Sequence, residues 1–230
     1  MKFCPELAEA VLIRRYKRFL ADIREAGLVT TIHCANTGAM HGCSDPGSKV
    51  WYSISDNPQR KLSRSLELVE TQSGHLVCVN TARANQLVGE ALHKRQIKQL
   101  AGCEKWNREV SIPNAHGRLD FAADNIVVEV KMVSWLRQGI GVFPDAVSSR
   151  ATRHVKALQA CAADGWRAVL LFCVPHNGIH SMTIASDVDP DYAAAIVQAC
   201  TEGVEMFAYR WCVSPSEWRL SEQIPFELPD

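Results

Sequence analysis

Short apolar runs separated by turn residues fill the first third of the chain. Runs rich in β-branched and aromatic residues predict strands over 49–54, 65–70 and 75–79. Gly, Pro, Asn and Asp separate these runs. About five closely spaced strands with tight turns favour a small β-barrel over residues 1–82, and an oligonucleotide-binding (OB) barrel is the natural candidate. Periodicity alone leaves another small β-fold as an alternative.

The spacing of apolar residues changes after Thr81. Leu87, Val88, Ala91 and Leu92 recur at helical spacing and predict a helix over 84–94. The following patterns predict a strand near 108–110, a hairpin over 118–131, a helix from about 144 to 162, a buried strand over 167–174, a helix over 192–201 and a strand over 204–213. Residues 83–230 therefore form a second domain, and the chain belongs to the α/β (α+β) class.

The predicted hairpin brings three ionisable residues together. Its strands cover 118–123 and 126–131, and Asp124-Asn125 suits a two-residue turn because both tolerate a left-handed backbone. A turn of that length places Asp120 directly opposite Glu129. Lys131 lies two positions beyond Glu129 and projects from the same face.

Two opposed carboxylates with Cβ atoms about 5 Å apart need a cation or a raised pKa. Mg²⁺ or Mn²⁺ fits this need, with Asp120 and Glu129 as ligands and Lys131 orienting a metal-bound water or neutralising a phosphate oxygen. The alternative is a solvated Glu-x-Lys ion pair. The pattern resembles the catalytic signature of the restriction-endonuclease-like PD-(D/E)xK nucleases. That resemblance implies an αβββαβ core and a helix glutamate at the metal, for which Glu90 is the candidate; an ordinary solvent-facing glutamate is the alternative.

Candidate DNA contacts form two basic groups. Phosphate binding and base stacking are expected of Arg14, Arg15, Tyr16, Lys17 and Arg18, although a solvated strand face with Tyr16 packed beneath explains them equally well. Arg150 and His154 lie four residues apart on the second predicted helix and project together. Arg118, at the start of the hairpin, is a further candidate. A solvated helix face is the alternative for Arg150 and His154.

Composition narrows the classes of function that the protein can have but does not select one. The formal net charge is zero, so overall charge does not indicate a nucleic-acid partner. No apolar run approaches a membrane span and residues 1–7 lack the core of a secretory signal, so we expect no membrane partner and a cytoplasmic location. Nine cysteines without paired spacing indicate reduced thiols. His33-Cys34 and His41-x-Cys43 come nearest to a zinc site, but buried thiols are the preferred interpretation.

Eight stretches in order along the chain resemble the sugar fermentation stimulation protein A family. They cover 12–22, 33–40, 55–58, 79–81, 118–121, 128–131, 143–147 and 203–205. The resemblance implies an OB-like domain, a nuclease-like domain, DNA binding without sequence specificity and a regulatory link to sugar (maltose) metabolism.

Two functional hypotheses follow. The first is a DNA-binding protein with a Mg²⁺-dependent phosphodiesterase site at Asp120, Glu129 and Lys131, with Glu90 completing it. The second is a catalytically inactive DNA-binding, transcription-regulatory protein on a nuclease scaffold. A sugar-binding regulator has no sequence feature of its own. The oligomeric state is left open, with a homodimer as one alternative.

Overall fold

A small closed barrel forms the first part of the computed structural model, which describes residues 1–111 and 118–229. Its strands are β1 Ala8–Tyr16, β2 Leu20–Glu25, β3 Leu28–His33, β4 Lys49–Ile54, β5 Arg64–Glu70 and β6 Leu76–Cys78. They pair in the order β3-β2-β1-β4-β5-β6, and a parallel pairing of His33 with Ser65 closes β3 onto β5. Alternating residues such as Leu12, Ile23 and Leu66 fill the interior. The predicted small barrel is confirmed.

The second part is built around a six-stranded sheet. Its elements are α1 Ala82–His93, β7 Asn107–Ser111, β8 Arg118–Ala123, β9 Ile126–Met132, β10 Trp135–Arg137, β11 Ile140–Phe143, α2 Ser149–Ala163, β12 Arg167–Val174, β13 Met182–Ile184, α3 Pro190–Thr201, β14 Glu205–Val213, β15 Trp218–Ile224 and β16 Phe226–Glu227. The main sheet has the order β15-β14-β12-β9-β8-β7, with β9, β12 and β14 parallel. A smaller sheet has the order β10-β11-β13-β16.

Helices cover both faces of the main sheet. Leu87 and Leu92 of α1 pack with Val128 and Val130 on one face. Val155 and Leu158 of α2 pack on the other face, together with α3. Because side chains alternate along β9, Glu129 and Lys131 point to the α2 side. None of the helices in the described residues is long and apolar enough to cross a membrane.

Several features differ from the sequence prediction, among them β15, which was not predicted. The second helix begins at Ser149, five residues later than expected, because the Ser148 side chain accepts a hydrogen bond from Ala151 N at 3.1 Å and caps it there. Residues 144–147 are instead a connection that reaches the barrel. The small sheet was not predicted, since strands of two to four residues are too short to show a period.

The cysteines near His33 and His41 are buried thiols, as the preferred interpretation of the sequence has them. Cys34 and Cys43 are both buried and free. Burial raises the pKa of the Cys43 thiol to about 12, and its Sγ donates to the carbonyl oxygen of Ser134 at 3.3 Å.

Candidate active site

The hairpin at the centre of the second domain has the predicted register. Ala123 pairs with Ile126 and Phe121 pairs with Val128, so the turn contains two residues. Asp124 supplies the left-handed backbone conformation, with φ of 49°. Continuing this register places Asp120 opposite Glu129, where the strands stop pairing through their backbones.

Asp120 is held by the backbone and by α1. Its Oδ2 accepts a hydrogen bond from Val130 N at 2.7 Å, which replaces the backbone pairing lost at this point. Its Oδ1 accepts from Asn85 Nδ2 at 2.6 Å. Burial, followed by the nearby charge of Glu129, raises the pKa of Asp120 to about 6. A cation at this position would therefore compete with a proton.

Glu129 lies deeper, with only 2% of its surface exposed. Burial alone would raise its pKa, but the hydrogen bond with His154 and the charge of Lys131 outweigh that effect and hold the pKa below its ordinary value. Lys131 Nζ donates to Glu129 Oε1 at 2.6 Å, and His154 Nδ1 contacts the same oxygen. The other oxygen, Oε2, is buried and has no hydrogen-bond partner among the described residues.

Helix α2 supplies the residues that surround this carboxylate. Arg150 Nε donates to His154 Nε2 at 3.4 Å, a long hydrogen bond. An imidazole that accepts at Nε2 carries its proton on Nδ1, so His154 donates to Glu129. Arg150 and His154, predicted to project together, do so.

A cleft of about 820 Å³ opens above these residues, between the barrel and the second domain. Both domains contribute cations to it: Arg18, Arg118, Lys131, Arg150 and Arg153. Its acidic side chains are Glu109, Asp120, Glu129 and Asp145. The carboxylate pair thus lies in a cleft edged with groups that attract phosphate.

The barrel wall of the cleft is the loop after β3, here called the wall loop, residues 35–43. Arg15 supports it from within the barrel, since its guanidinium donates to the carbonyl oxygens of Asn36 at 2.8 Å and Gly38 at 2.9 Å. Gly38 lies so close to Asp145 that an added Cβ would stand 2.4 Å from the carboxylate. A larger residue at position 38 would force the Asp145 side chain to shift.

Glu90, expected at the metal, lies away from the site. Its carboxylate pairs with the Met1 ammonium at 3.0 Å and with Lys94 at 2.5 Å. Helix α1 packs on the face of the sheet opposite to Glu129, and only its first turn reaches the cleft. Asn85, and not Glu90, is the residue of this helix that contacts Asp120.

The basic stretch on β1 divides into residues with different roles. Arg14 bonds to Asp22 at 2.8 Å and lies over the Tyr16 ring, whose hydroxyl also donates to Asp22. Lys17 and Arg18 form the turn after β1, with φ of 49° and 62°. Of the five residues, Arg18 is the one that lines the cleft.

Several cleft residues were not predicted. They are Asn85, Glu109, Ser134, Trp135, Asp145 and Arg153. Glu109 lies across from Asp120 between two paired positions and has a left-handed backbone with φ of 52°. Arg153 carried a usable signal, since it follows Arg150 by three residues on the same helix. The others reach the cleft only through long-range folding.

The donor set fits a hard divalent cation held by few protein ligands. Within residues 1–111 and 118–229, no three His, Cys, Asp or Glu side chains form a metal-binding group. Mg²⁺ needs only one or two carboxylates and takes its other oxygens from water and substrate. The unpartnered Oε2 of Glu129 and the raised pKa of Asp120 both indicate a place where a cation would be stabilising.

Comparison with known families assigns both parts of the chain. The family model described as the SfsA N-terminal OB domain matches residues 13–79, and the model described as the sugar fermentation stimulation protein RE domain matches residues 82–217. The chain belongs to the sugar fermentation stimulation protein family. The family membership inferred from short motifs is confirmed, as is the fold of an OB-like barrel followed by a restriction-endonuclease-like domain.

Individual members of the sugar fermentation stimulation protein family match over the full length. A homolog from Aeromonas salmonicida is 46% identical over 99% of this chain and 96% of its own. One from Shewanella piezotolerans is 45% identical over 99% of this chain and 100% of its own. The solved structure of Pyrococcus furiosus SfsA in complex with Ca²⁺ superposes with a TM-score of 0.88, covering 99% of this chain and 98% of that one at 23% identity, which shows a shared fold.

Proposed function

We propose that this protein is a Mg²⁺- or Mn²⁺-dependent phosphodiesterase that acts on DNA without sequence specificity. The observation that carries the proposal is the juxtaposition of Asp120 and Glu129, with Lys131 beside them, at the base of a cleft lined by arginines. Two acids whose pKa values are shifted in opposite directions indicate a site arranged for chemistry.

Each side chain has a role that follows from its contacts. Asp120 and Glu129 would hold the cation, which lowers the pKa of bound water and stabilises negative charge on a phosphoryl oxygen. Lys131 places a positive charge next to Glu129, where it orients the attacking water or neutralises the phosphate. His154 fixes the orientation of Glu129, and Asn85 fixes that of Asp120.

The arginines of the cleft account for DNA affinity. Arg18 and Arg118 extend from the barrel and the hairpin, and Arg150 and Arg153 from α2. Guanidinium groups bind phosphate oxygens with planar, two-point geometry, and contacts to phosphate carry no direct sequence information. Such contacts give affinity that depends on salt and is independent of sequence.

The Ca²⁺ complex of the Pyrococcus furiosus relative adds indirect support for a cation site. Ca²⁺ and Mg²⁺ are both hard cations that prefer oxygen ligands. A family fold that holds Ca²⁺ in one member is consistent with a divalent cation at the carboxylates of this one.

A second candidate is a DNA-binding regulator linked to sugar (maltose) metabolism that retains the scaffold without turnover. It is favoured by the contacts of Glu129, whose Oε1 already accepts a hydrogen bond from the Lys131 ammonium and contacts His154. The two candidates differ in whether DNA is cut when metal is supplied.

Calorimetric titration of Mg²⁺ and Mn²⁺, followed by DNA cleavage assays, distinguishes them. In Asp120→Asn we expect metal binding to be lost and cleavage to fall at least about 100-fold. Asp124→Asn is the matched control, because Asp124 lies in the turn of the same hairpin and asparagine suits its backbone. The nuclease candidate is wrong if wild type neither binds metal nor cleaves DNA while both variants still bind DNA in a salt-sensitive manner. The DNA-binding regulator would then be the remaining candidate.

A further inference from the structure

The two walls of the cleft are tied together. On the wall loop, Met40 N donates to Asp145 Oδ2 at 3.0 Å, and Cys43 Sγ donates to Ser134 O at 3.3 Å. The His41 ring lies 4.4 Å from that of Trp135, centre to centre. Each contact joins the barrel to the segment between β9 and α2. The cleft therefore cannot widen without breaking several contacts between the domains.

The volume of this cleft limits how much of a substrate can lie beside the carboxylates. Its volume of about 820 Å³ lies within the range of roughly 300–1,000 Å³ of pockets that enclose a small molecule. A few nucleotides of one strand match this volume. A duplex would need room for a second strand beside the first, and its stacked base faces would not be available to the cleft walls.

Two exposed apolar side chains accompany the cations, Val147 in the lining of the cleft and Phe19 next in sequence to the lining residue Arg18. Val147, 75% exposed, lines the cleft three residues before Arg150. Phe19, 50% exposed, directly follows Arg18. An unpaired strand offers base faces alongside its phosphates, and apolar and aromatic side chains bind those faces without regard to sequence. In a duplex the same faces are stacked against neighbouring bases.

We propose that the cleft takes an unpaired DNA strand, with Phe19 and Val147 contacting its bases while Arg18 and Arg150 bind its phosphates. The inference rests on the proposed function for the reaction at Asp120 and Glu129. It narrows the substrate to single strands, overhangs and frayed ends.

Binding without metal tests the strand preference apart from catalysis. Fluorescence anisotropy in EDTA compares a labelled oligonucleotide with its blunt duplex at one salt concentration. We expect the single strand to bind at least about tenfold tighter, and Phe19→Ser to lower its affinity about tenfold. Val147→Ser, which removes a smaller contact, should lower it about threefold. Leu28→Ser and Val197→Ser alter exposed apolar residues that neither line the cleft nor adjoin a lining arginine in sequence, so they should leave the affinity unchanged.

Equal binding of the blunt duplex, or variants at Phe19 and Val147 that behave like the two controls, would overturn the inference. Cleavage of the same DNAs with Mn²⁺ separates it from the proposed function. If blunt duplex is cleaved efficiently while the single strands stay intact, the strand preference is wrong but the proposed nuclease activity stands. If the single strand binds more tightly than the duplex but no DNA is cleaved, the strand preference stands and the proposed nuclease activity is wrong.

Discussion

His154 Nδ1 on α2 makes a hydrogen bond to Glu129 Oε1 on β9. Lys131 Nζ binds the same oxygen at 2.6 Å. The carboxylate is therefore held from two sides through one oxygen, and the other oxygen is left without a partner among the described residues. An arrangement of this kind orients a ligand toward a cation and raises the cost of turning it away.

Replacing His154 by alanine tests this positioning role. We expect His154→Ala to weaken Mn²⁺ binding and lower cleavage by about 10- to 100-fold, because Glu129 loses the donor that orients it. Single-strand affinity measured in EDTA should stay within about twofold. Lys156→Ala, on the exposed side of the same helix, serves as the control. A loss of DNA affinity with unchanged Mn²⁺ binding would instead make His154 a phosphate contact.

Asn85 and Glu90 give a paired test on one helix. Asn85→Ala removes the 2.6 Å hydrogen bond to Asp120, and we expect Mn²⁺ affinity to fall about tenfold in calorimetry. Glu90→Gln disturbs only contacts with Met1 and Lys94 and should leave Mn²⁺ affinity unchanged. A loss of Mn²⁺ affinity in Glu90→Gln, with unchanged affinity in Asn85→Ala, would show that Glu90 and not Asn85 supports the metal site.

Sequence could predict the hairpin because everything it needs is local. The turn length, the alternation of side chains and the identity of Asp120, Glu129 and Lys131 all lie within 14 residues, 118–131. A two-residue turn fixes the register, and the register fixes which side chains meet. Periodicity predicted the three helices and the main-sheet strands other than β15 for the same reason.

The rest of the site depends on contacts between distant segments. Asn85 and Asp120 are separated by 35 positions, and Met40 and Asp145 by 105. Periodicity shows that a helix exists but not which face of the sheet it covers, so Glu90 was expected where Asn85 lies. The sequence around Arg15 likewise did not indicate that the Arg15 guanidinium supports the wall loop.

The salt dependence of DNA binding tests which cations contact phosphate. Arg18→Gln and Arg153→Gln each remove a cleft cation. Each should reduce the slope of log affinity against log salt by about 0.7 for a single strand. Arg14→Gln removes a cation that is paired with Asp22 and does not line the cleft, so its slope should match wild type. An equal reduction in all three variants would show that DNA follows the whole of β1.

A buried ion pair joins the barrel to α1. Glu67 on β5 has no exposed surface and accepts hydrogen bonds from Arg83 at 2.5 and 2.9 Å and from Ser53 and Asn80. Arg83→Met leaves this carboxylate buried and without its cation, and we expect a loss of about 3 kcal/mol in the free energy of unfolding by urea. Arg64→Met breaks a more exposed pair with Glu25 and should cost less than about 1 kcal/mol. Similar losses in the two variants would contradict a special role for the buried pair.

His176 makes the stability of the protein depend on pH. Its side chain is 1% exposed, Nδ1 accepts a hydrogen bond from Gly178 N at 3.0 Å, and the His75 ring lies 5.9 Å away. Burial, followed by the charge of His75, lowers the pKa of His176 from 6.5 to about 4. As the pH falls below 6.5 the unfolded chain takes up a proton that the folded protein takes up only near pH 4.

Stability contributed by the neutral imidazole is therefore complete above pH 6.5 and is lost toward pH 4. The loss from this residue should reach about 3 kcal/mol by pH 4. His176→Asn keeps an acceptor for Gly178 but does not titrate, so its unfolding free energy should fall less steeply over this range in urea titrations at stepped pH. His180→Gln, which alters an exposed ring four residues away, should follow the wild-type curve. Parallel curves for wild type and His176→Asn would show that His176 takes up its proton equally readily in the folded and unfolded states.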